Sequence, residues 1–217
     1  LKTHLSDQGF TLVEVLVVIT IIVLLTAVAL PVSRSLASKS QAINCSRNQR
    51  QIGLATMMYA GENQMTLPVT SHQRAQGGKS WTLTLQPYAS GTITFRCPTD
   101  ENKTRPYSYV INDYLTPNPA GAPELDFSRL SKIERPGATL MFAEASAAYR
   151  NTDHFHFSFY HGEALPPDAF AGQVAVGRHG GNANYLFVDG HVESLSWRDV
   201  QDRLSRAGSR FVDPSAP

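Results

Sequence analysis

A single carboxylate, Glu14, interrupts the apolar run from Phe10 to Leu30. About twenty apolar residues at ~1.5 Å each suffice to cross a bilayer core as a helix. A carboxylate one turn into such a helix costs on the order of 2 to 3 kcal/mol on insertion scales, so it asks for a partner. A free α-amino group would serve: a cut between Gly9 and Phe10 places the new ammonium one turn from Glu14, or beside the Glu14 of a neighbouring copy. Farther along, His154 and His156 alternate with Phe155, Phe157 and Phe159, and His161 is close by. Two imidazoles on one strand face can hold zinc or another transition metal. No Cys or third ligand stands at a recognised spacing, so the expectation is a solvated face.

His179, Asp189 and His191 are also legitimate ligand types. However, Gly180-Gly181 follows His179, and a strand over 184–188 would carry Asp189 roughly 15 Å from where it begins. The expectation is therefore an Asp189-Gly190 turn and a structural, hydrogen-bonding His179, with no metal and no cofactor. Cys45 and Cys97 lie beyond the membrane run, on the exported side, where a disulfide is permitted, and a bridge between them is expected; the alternative is two separate buried thiols. Glu62 and Glu144 are isolated carboxylates. The sequence has no nucleophile elbow, no phosphate-cradling glycine loop, no Cys-x-x-Cys and no His-Glu-x-x-His, so no enzyme is expected.

The elements that must position these residues follow from periodicity. After Pro31 the chain turns polar, then Cys45, Asn48, Ile52, Ala55 and Tyr59 form a stripe spaced three and four apart, one face of a helix stopped near Gly61. A helix over 11–60 is roughly 75 Å long at ~1.5 Å per residue, so its second half packs on a soluble domain. Trp81 opens a segment that suits helix or strand equally. Strands are expected over 107–111, 139–143 and 153–161, and a hairpin joins 185–188 to 192–195 across Asp189-Gly190. Residues 116–123 are loop, 197–204 a short helix and 213–217 a frayed tail. Nineteen basic against eighteen acidic residues leave a net charge of +1, which gives no reason to expect nucleic acid as a partner.

The N-terminal stretch resembles type IV pilins and pseudopilins, whose leader ends in Gly and whose mature chain begins with an N-methylated Phe and carries a Glu one turn in. Gly9, Phe10 and Glu14 match, and Pro31 falls where many of these proteins bend. An ordinary secretory signal (Lys2 and His4, then Val15 to Leu25, with Ala27-Val28-Ala29 as cleavage site) is the alternative, but h-regions avoid carboxylates. The chain begins with Leu, so the leader is expected to be truncated or to start from an alternative codon. A second resemblance is the H-x9-DG signature, His179 followed after nine residues by Asp189-Gly190, of a processing-associated domain in prepilin-like proteins. The segment Asn48 to Ala60 looks similar to that group as well.

The fold implied is α+β: a long N-terminal helix, membrane-spanning in its first half, packed on an antiparallel sheet of four or more strands. Its divisions are a leader (1–9), a membrane and assembly helix (10–30), the helix continuation (31–67), a soluble domain with the H-x9-DG hairpin (68–208) and a tail (209–217). The resemblance implies a structural subunit, a pseudopilin or minor pilin-like protein. It would be cut by prepilin peptidase and would join copies of itself or other pseudopilins in a type II secretion or type IV pilus-like fibre. Its location would be the inner membrane, single-pass, with the soluble domain in the periplasm or at the cell surface. The rival is a membrane-tethered extracellular module that binds polysaccharide or another surface ligand through exposed Trp81, Tyr88, Tyr107 and Tyr109.

Overall fold

The computed structural model describes residues 11–72, 79–89, 94–117, 126–151, 153–157, 160, 163–206 and 208–216. The chain divides into two compact units, residues 1–40 and 41–217. One helix, α1 (Leu12–Glu62), contributes to both.

In the first unit, Leu12–Leu30 is long and apolar enough to span a membrane, with a mean hydropathy of 2.9 and none of it buried within the protein. Its polar side chains are satisfied inside the helix. Thr20 and Thr26 donate to the carbonyls of Leu16 and Ile22 at 2.7 and 2.9 Å, which removes the cost of leaving a hydroxyl unpaired in hydrocarbon.

In the second unit, the predicted stripe of α1 is in part a core face: Cys45, Ile52 and Ala55 are buried, Asn48 and Tyr59 only half-buried, and the buried face also takes in Gln49, Thr56 and Ala60. Gly53 shares it because a Cβ there would stand 3.1 Å from Leu186 Cδ1. The helix runs through Gly61 and is ended two residues later. Gln64 and Met65 take positive φ (56° and 57°), and the Met65 amide returns to the Ala60 carbonyl at 2.8 Å.

Five strands form one sheet: β1 (Tyr109–Asn112), β2 (Leu140–Glu144), β3 (His154–Phe155), β4 (Asn182–Phe187) and β5 (Val192–Ser196), in the order β3-β1-β2-β4-β5. All neighbours are antiparallel except β1 and β3. The expected α+β architecture is therefore present, with one parallel edge pairing. β1 and β2 are buried at every position, as strands covered on both faces must be. Tyr109, Ile111 and Leu186 pack with Cys45, Ile52 and Trp81, whereas Val110, Tyr185 and Phe187 pack with Phe170, Val200 and Phe211. The second cluster is closed by α3 (Pro167–Gln173) and α4 (Trp197–Leu204), the latter started by a Ser196/Asp199 capping box.

Two expectations are corrected, one open alternative is resolved and one turn is defined more closely. The strand over 153–161 is only His154–Phe155, and His154 is 1% exposed rather than solvated; Phe159 and His161 fall outside the described residues. The segment after Trp81 is a short helix, α2 (Trp81–Thr84), with a 3-10 turn at Gln86–Tyr88. The tail is not frayed over its described part. Pro214 and Ala216 are buried, Arg210 Nε donates to the Ala216 carbonyl at 2.8 Å, and just before them Asn112 Nδ2 donates to the Val212 carbonyl at 2.7 Å. Finally, the β4–β5 reversal has positive φ only at Gly190 (90°). The Gly190 amide donates to the Phe187 carbonyl and the Phe187 amide to the His191 carbonyl, each at 2.9 Å. The expected hairpin is therefore present, its turn closed by a glycine bulge.

Candidate functional site

Gly9 and Phe10 lie outside the described residues. Glu14 is described, and it has a partner that sequence reasoning missed. Thr11 stands one residue before α1; its amide and hydroxyl donate to Glu14 Oε2 at 2.8 and 2.7 Å, and the Glu14 amide donates back to Thr11 Oγ1 at 3.3 Å. This is a reciprocal capping box, and its signal, Thr-x-x-Glu before an apolar run, was present in the sequence. The carboxylate is held at the start of the helix, where the macrodipole favours a negative charge.

In the second unit, the chemistry converges at the end of β2. Cys45 of α1 and Cys97 form a disulfide with Cα atoms 5.2 Å apart. His179 Nε2 lies 3.9 Å from Cys97 Sγ and 2.8 Å from Glu144 Oε1. Glu144 is fully buried, and its Oε2 has no hydrogen bond among the described residues. Cys45, Cys97, Glu144 and His179 lie close enough for a metal, but sulfurs bonded to each other do not provide the thiolates that ligation needs. His179 is positioned by Gly180 and Gly181, whose positive φ angles (68° and 93°) make the reversal that pairs His179 with Asn182.

Residues 5–30 match the family model of the prokaryotic N-terminal methylation motif. This is a prepilin-type signal of the pilin-like kind, and with the exposed apolar helix it supports anchoring in a membrane. The match ends at Leu30, before the disulfide and before His179. No curated protein and no solved structure matches the chain.

The two ends of the H-x9-DG spacing are not brought together. His179 precedes β4 and Asp189 follows it, and six residues of strand span on the order of 20 Å. At the far end, Asp189 Oδ1 bonds His191 Nδ1 at 2.5 Å, and the His191 ring stacks on Phe187 at 4.4 Å. Both Asp189 and His191 are substantially exposed. Of the four aromatics expected in a surface-binding platform, two are buried in the core and two, Tyr88 and Tyr107, are half-exposed. Trp81 and Tyr109 are wholly buried, Tyr107 packs near Trp81 and Phe95, and the Tyr88 hydroxyl donates to Glu62 at 2.5 Å.

A second buried charge lies next to the His179 node. Asp100 is fully buried. It accepts from Arg105 Nε and Nη2 (both 2.8 Å), from Ser108 Oγ (2.5 Å) and from Arg178 Nη2 (3.4 Å). Burial alone would raise its pKa, but the hydrogen bonds from Arg105 and Ser108 and the charges of Arg178 and Arg105 outweigh it and hold the carboxyl below the ordinary 3.8. A depressed carboxylate contributes stability that is fully present above the unfolded pKa and is lost as pH falls through the folded one. We therefore expect the urea midpoint of the detergent-solubilised chain to fall with acidification below about pH 4, with a shallower fall in Asp100→Asn. At pH 6 the variant should already cost about 3 kcal/mol or more, because Arg105 and Arg178 lose their buried counter-charge. An unchanged midpoint at pH 6 would refute this role.

The imidazoles of the edge strand are fixed by a third network. Asp153 accepts from the Ser71 amide (2.6 Å), Ser71 Oγ (2.8 Å) and Ser80 Oγ (2.6 Å), and its Oδ1 bonds His154 Nδ1 at 2.8 Å. Burial opposes ionisation, yet His154, Ser80 and Ser71 pull its pKa down to about 2. Trp81 Nε1 donates to the Asp153 carbonyl at 2.6 Å. The segment before residue 72, the start of α2 and β3 are thus tied to one carboxylate.

Proposed function

We propose that this chain is a structural subunit, a pseudopilin or minor pilin-like protein, and that it performs no catalysis. Prepilin peptidase cuts between Gly9 and Phe10, the new Phe10 amine is methylated, and the helix beginning at Leu12 holds the protein in the cytoplasmic membrane. The unit 41–217 lies in the periplasm or at the cell surface. Subunits, whether copies of this chain or other pseudopilins, join through their N-terminal helices in a type II secretion or type IV pilus-like fibre. There Glu14 neutralises the Phe10 amine of a neighbour.

The observation that carries this proposal is the methylation motif over residues 5–30, coincident with an apolar helix whose one charged side chain is Glu14. A carboxylate in such a helix is tolerated where a partner cancels its charge. The Thr11 hydroxyl satisfies one oxygen but supplies no charge, so the ammonium of a neighbour remains the complement the site calls for.

The test is intact-mass and N-terminal peptide analysis of membrane fractions. The mature chain should begin at Phe10 and carry one methyl on its nitrogen. A chain beginning beyond Ala29 would instead mark a cleaved secretory signal and overturn the proposal. In the same membranes, Glu14→Ala should be processed as before but should lose the cross-linked multimers formed by the unaltered protein. Multimers that persist in the variant would remove Glu14 from assembly.

A further inference from the structure

His72, His154 and His156 come from two places far apart in the sequence, and one ring nitrogen of each lies within 4.8 Å of the other two. The rings lie close together, His72 edge-on to His154. The centroids of His72 and His154 are 3.9 Å apart, those of His154 and His156 5.4 Å, and those of His72 and His156 5.8 Å. From this geometry we infer a binding site for a late first-row divalent transition ion, of which Zn2+ is the type, with these three imidazoles as its protein ligands.

Three observations support the site. First, a metal-binding histidine usually has its other ring nitrogen held by a carboxylate, which fixes the ring and the tautomer. Here two of the three have that partner: His154 Nδ1 on Asp153 Oδ1 at 2.8 Å, and His72 Nδ1 within 3.4 Å of Asp113 Oδ2. Both leave Nε2 as the nitrogen for the ion. Second, His156 Nδ1 is buried with no hydrogen-bond partner among the described residues. An orphaned buried polar atom costs about 1 to 3 kcal/mol, and a coordinate bond would remove that cost. Third, the backbone on which two ligands stand is already fixed: His154 lies in β3, and the His156 amide and carbonyl are both engaged by the Gln173 side chain, at 3.0 and 2.9 Å.

Donor chemistry selects the ion. Three nitrogens with no carboxylate directly among them suit Zn2+, Cu2+ or Ni2+ and do not suit Ca2+ or Mg2+, which take oxygen ligands. Ligand nitrogens about 2.0–2.1 Å from a tetrahedral ion stand about 3.4 Å apart, so the rings need only draw together modestly. His72 is the most exposed of the three. His154 Nε2 now bonds Asn151 Nδ2 at 2.7 Å, and the ion would displace that amide, at about 1 kcal/mol for one hydrogen bond. Three protein ligands leave one position for water or an exogenous donor. The ion would fasten the segment before residue 72 to the edge strand.

The experiment uses the full chain in detergent, purified without a polyhistidine tag, and titrates it with Zn2+ against a chromophoric chelator. One Zn2+ per chain should bind and raise the melting temperature, and Mg2+ and Ca2+ should do neither. His72→Gln alters a partly exposed side chain, so the fold should survive, while Zn2+ affinity should drop roughly tenfold or more and the thermal shift should disappear. Cu2+ bound to the unaltered chain should show nitrogen couplings in its electron paramagnetic resonance spectrum, reduced in His72→Gln. His191→Gln, at the distant hairpin, should change none of these. Failure to bind Zn2+ stoichiometrically, or unaltered affinity in His72→Gln, would overturn the inference.

Discussion

Replacing both cysteines with alanine is expected to lower the unfolding free energy by about 4 kcal/mol. The Cys45–Cys97 bridge closes a loop with a sequence separation of 52, and the chain-entropy relation assigns a loop of that size about 4 kcal/mol. Domains are stable by only about 5 to 15 kcal/mol, so this is a large share. The location of the bridge reinforces the expectation. Among the described residues, the other polar ties of this stretch of α1 are Gln49 to the Asn184 carbonyl (3.0 Å), Asn184 to the Ala42 carbonyl (3.1 Å), Tyr109 to the Cys45 carbonyl (3.3 Å) and Asn48 to the Arg96 carbonyl (3.3 Å). Urea unfolding followed by the fluorescence of Trp81 and Trp197 measures the effect, and the unaltered chain under reductant should unfold at the midpoint of the double variant. A loss below about 1 kcal/mol would mean that apolar packing of Ile52 and Ala55 holds α1 without the bridge.

What the sequence made legible was local. The stripe on α1, the short helix after Ser196 and the reversal at Asp189-Gly190 each depend on residues within one or two turns of one another, and the structure has all three. Thr11-x-x-Glu14 is equally local, its capping box needing only two residues three apart. The helix α3 is absent from the sequence reading although its signals are as local, with Pro167 at its first turn, Asp168 after it and Phe170 buried. Features that depend on distant chain were not legible. The alternation of Phe155 and Phe157 with His154 and His156 reads as a half-buried strand, but the ladder ends after two residues. His154 is buried because Asp153 gathers Ser71 and Ser80 from far upstream. The same folding brings His72 to the pair, which no spacing rule could supply. Residues 213–217 read as frayed by composition, whereas Pro214 and Ala216 are buried and the preceding Phe211 packs among Phe170, Tyr185 and Phe187.

The pairing of His179 with Glu144 leads to the second large effect. Glu144 ends β2 with no exposure to solvent, and His179 is its hydrogen-bonding side chain. Removing one partner of a buried pair leaves an uncompensated polar or charged group, which costs about 3 to 5 kcal/mol. His179→Ala should therefore destabilise the protein by about that much. Glu144→Gln in the same background should recover part of the loss, because an amide without a partner is cheaper to bury than a carboxylate. A double-mutant cycle between the two sites should give a coupling of about 2 kcal/mol or more. Asp189 provides the contrast. Its side chain is 43% exposed and bonded to an equally accessible His191, so Asp189→Ala should cost less than about 1 kcal/mol. Since β4 separates the two ends of the H-x9-DG spacing, the losses from His179→Ala and Asp189→Ala should add within about 0.5 kcal/mol. Comparable losses at the two positions, or a clear departure from additivity, would mean that the ends act as one unit. His179 would then owe its place to the hairpin rather than to Glu144.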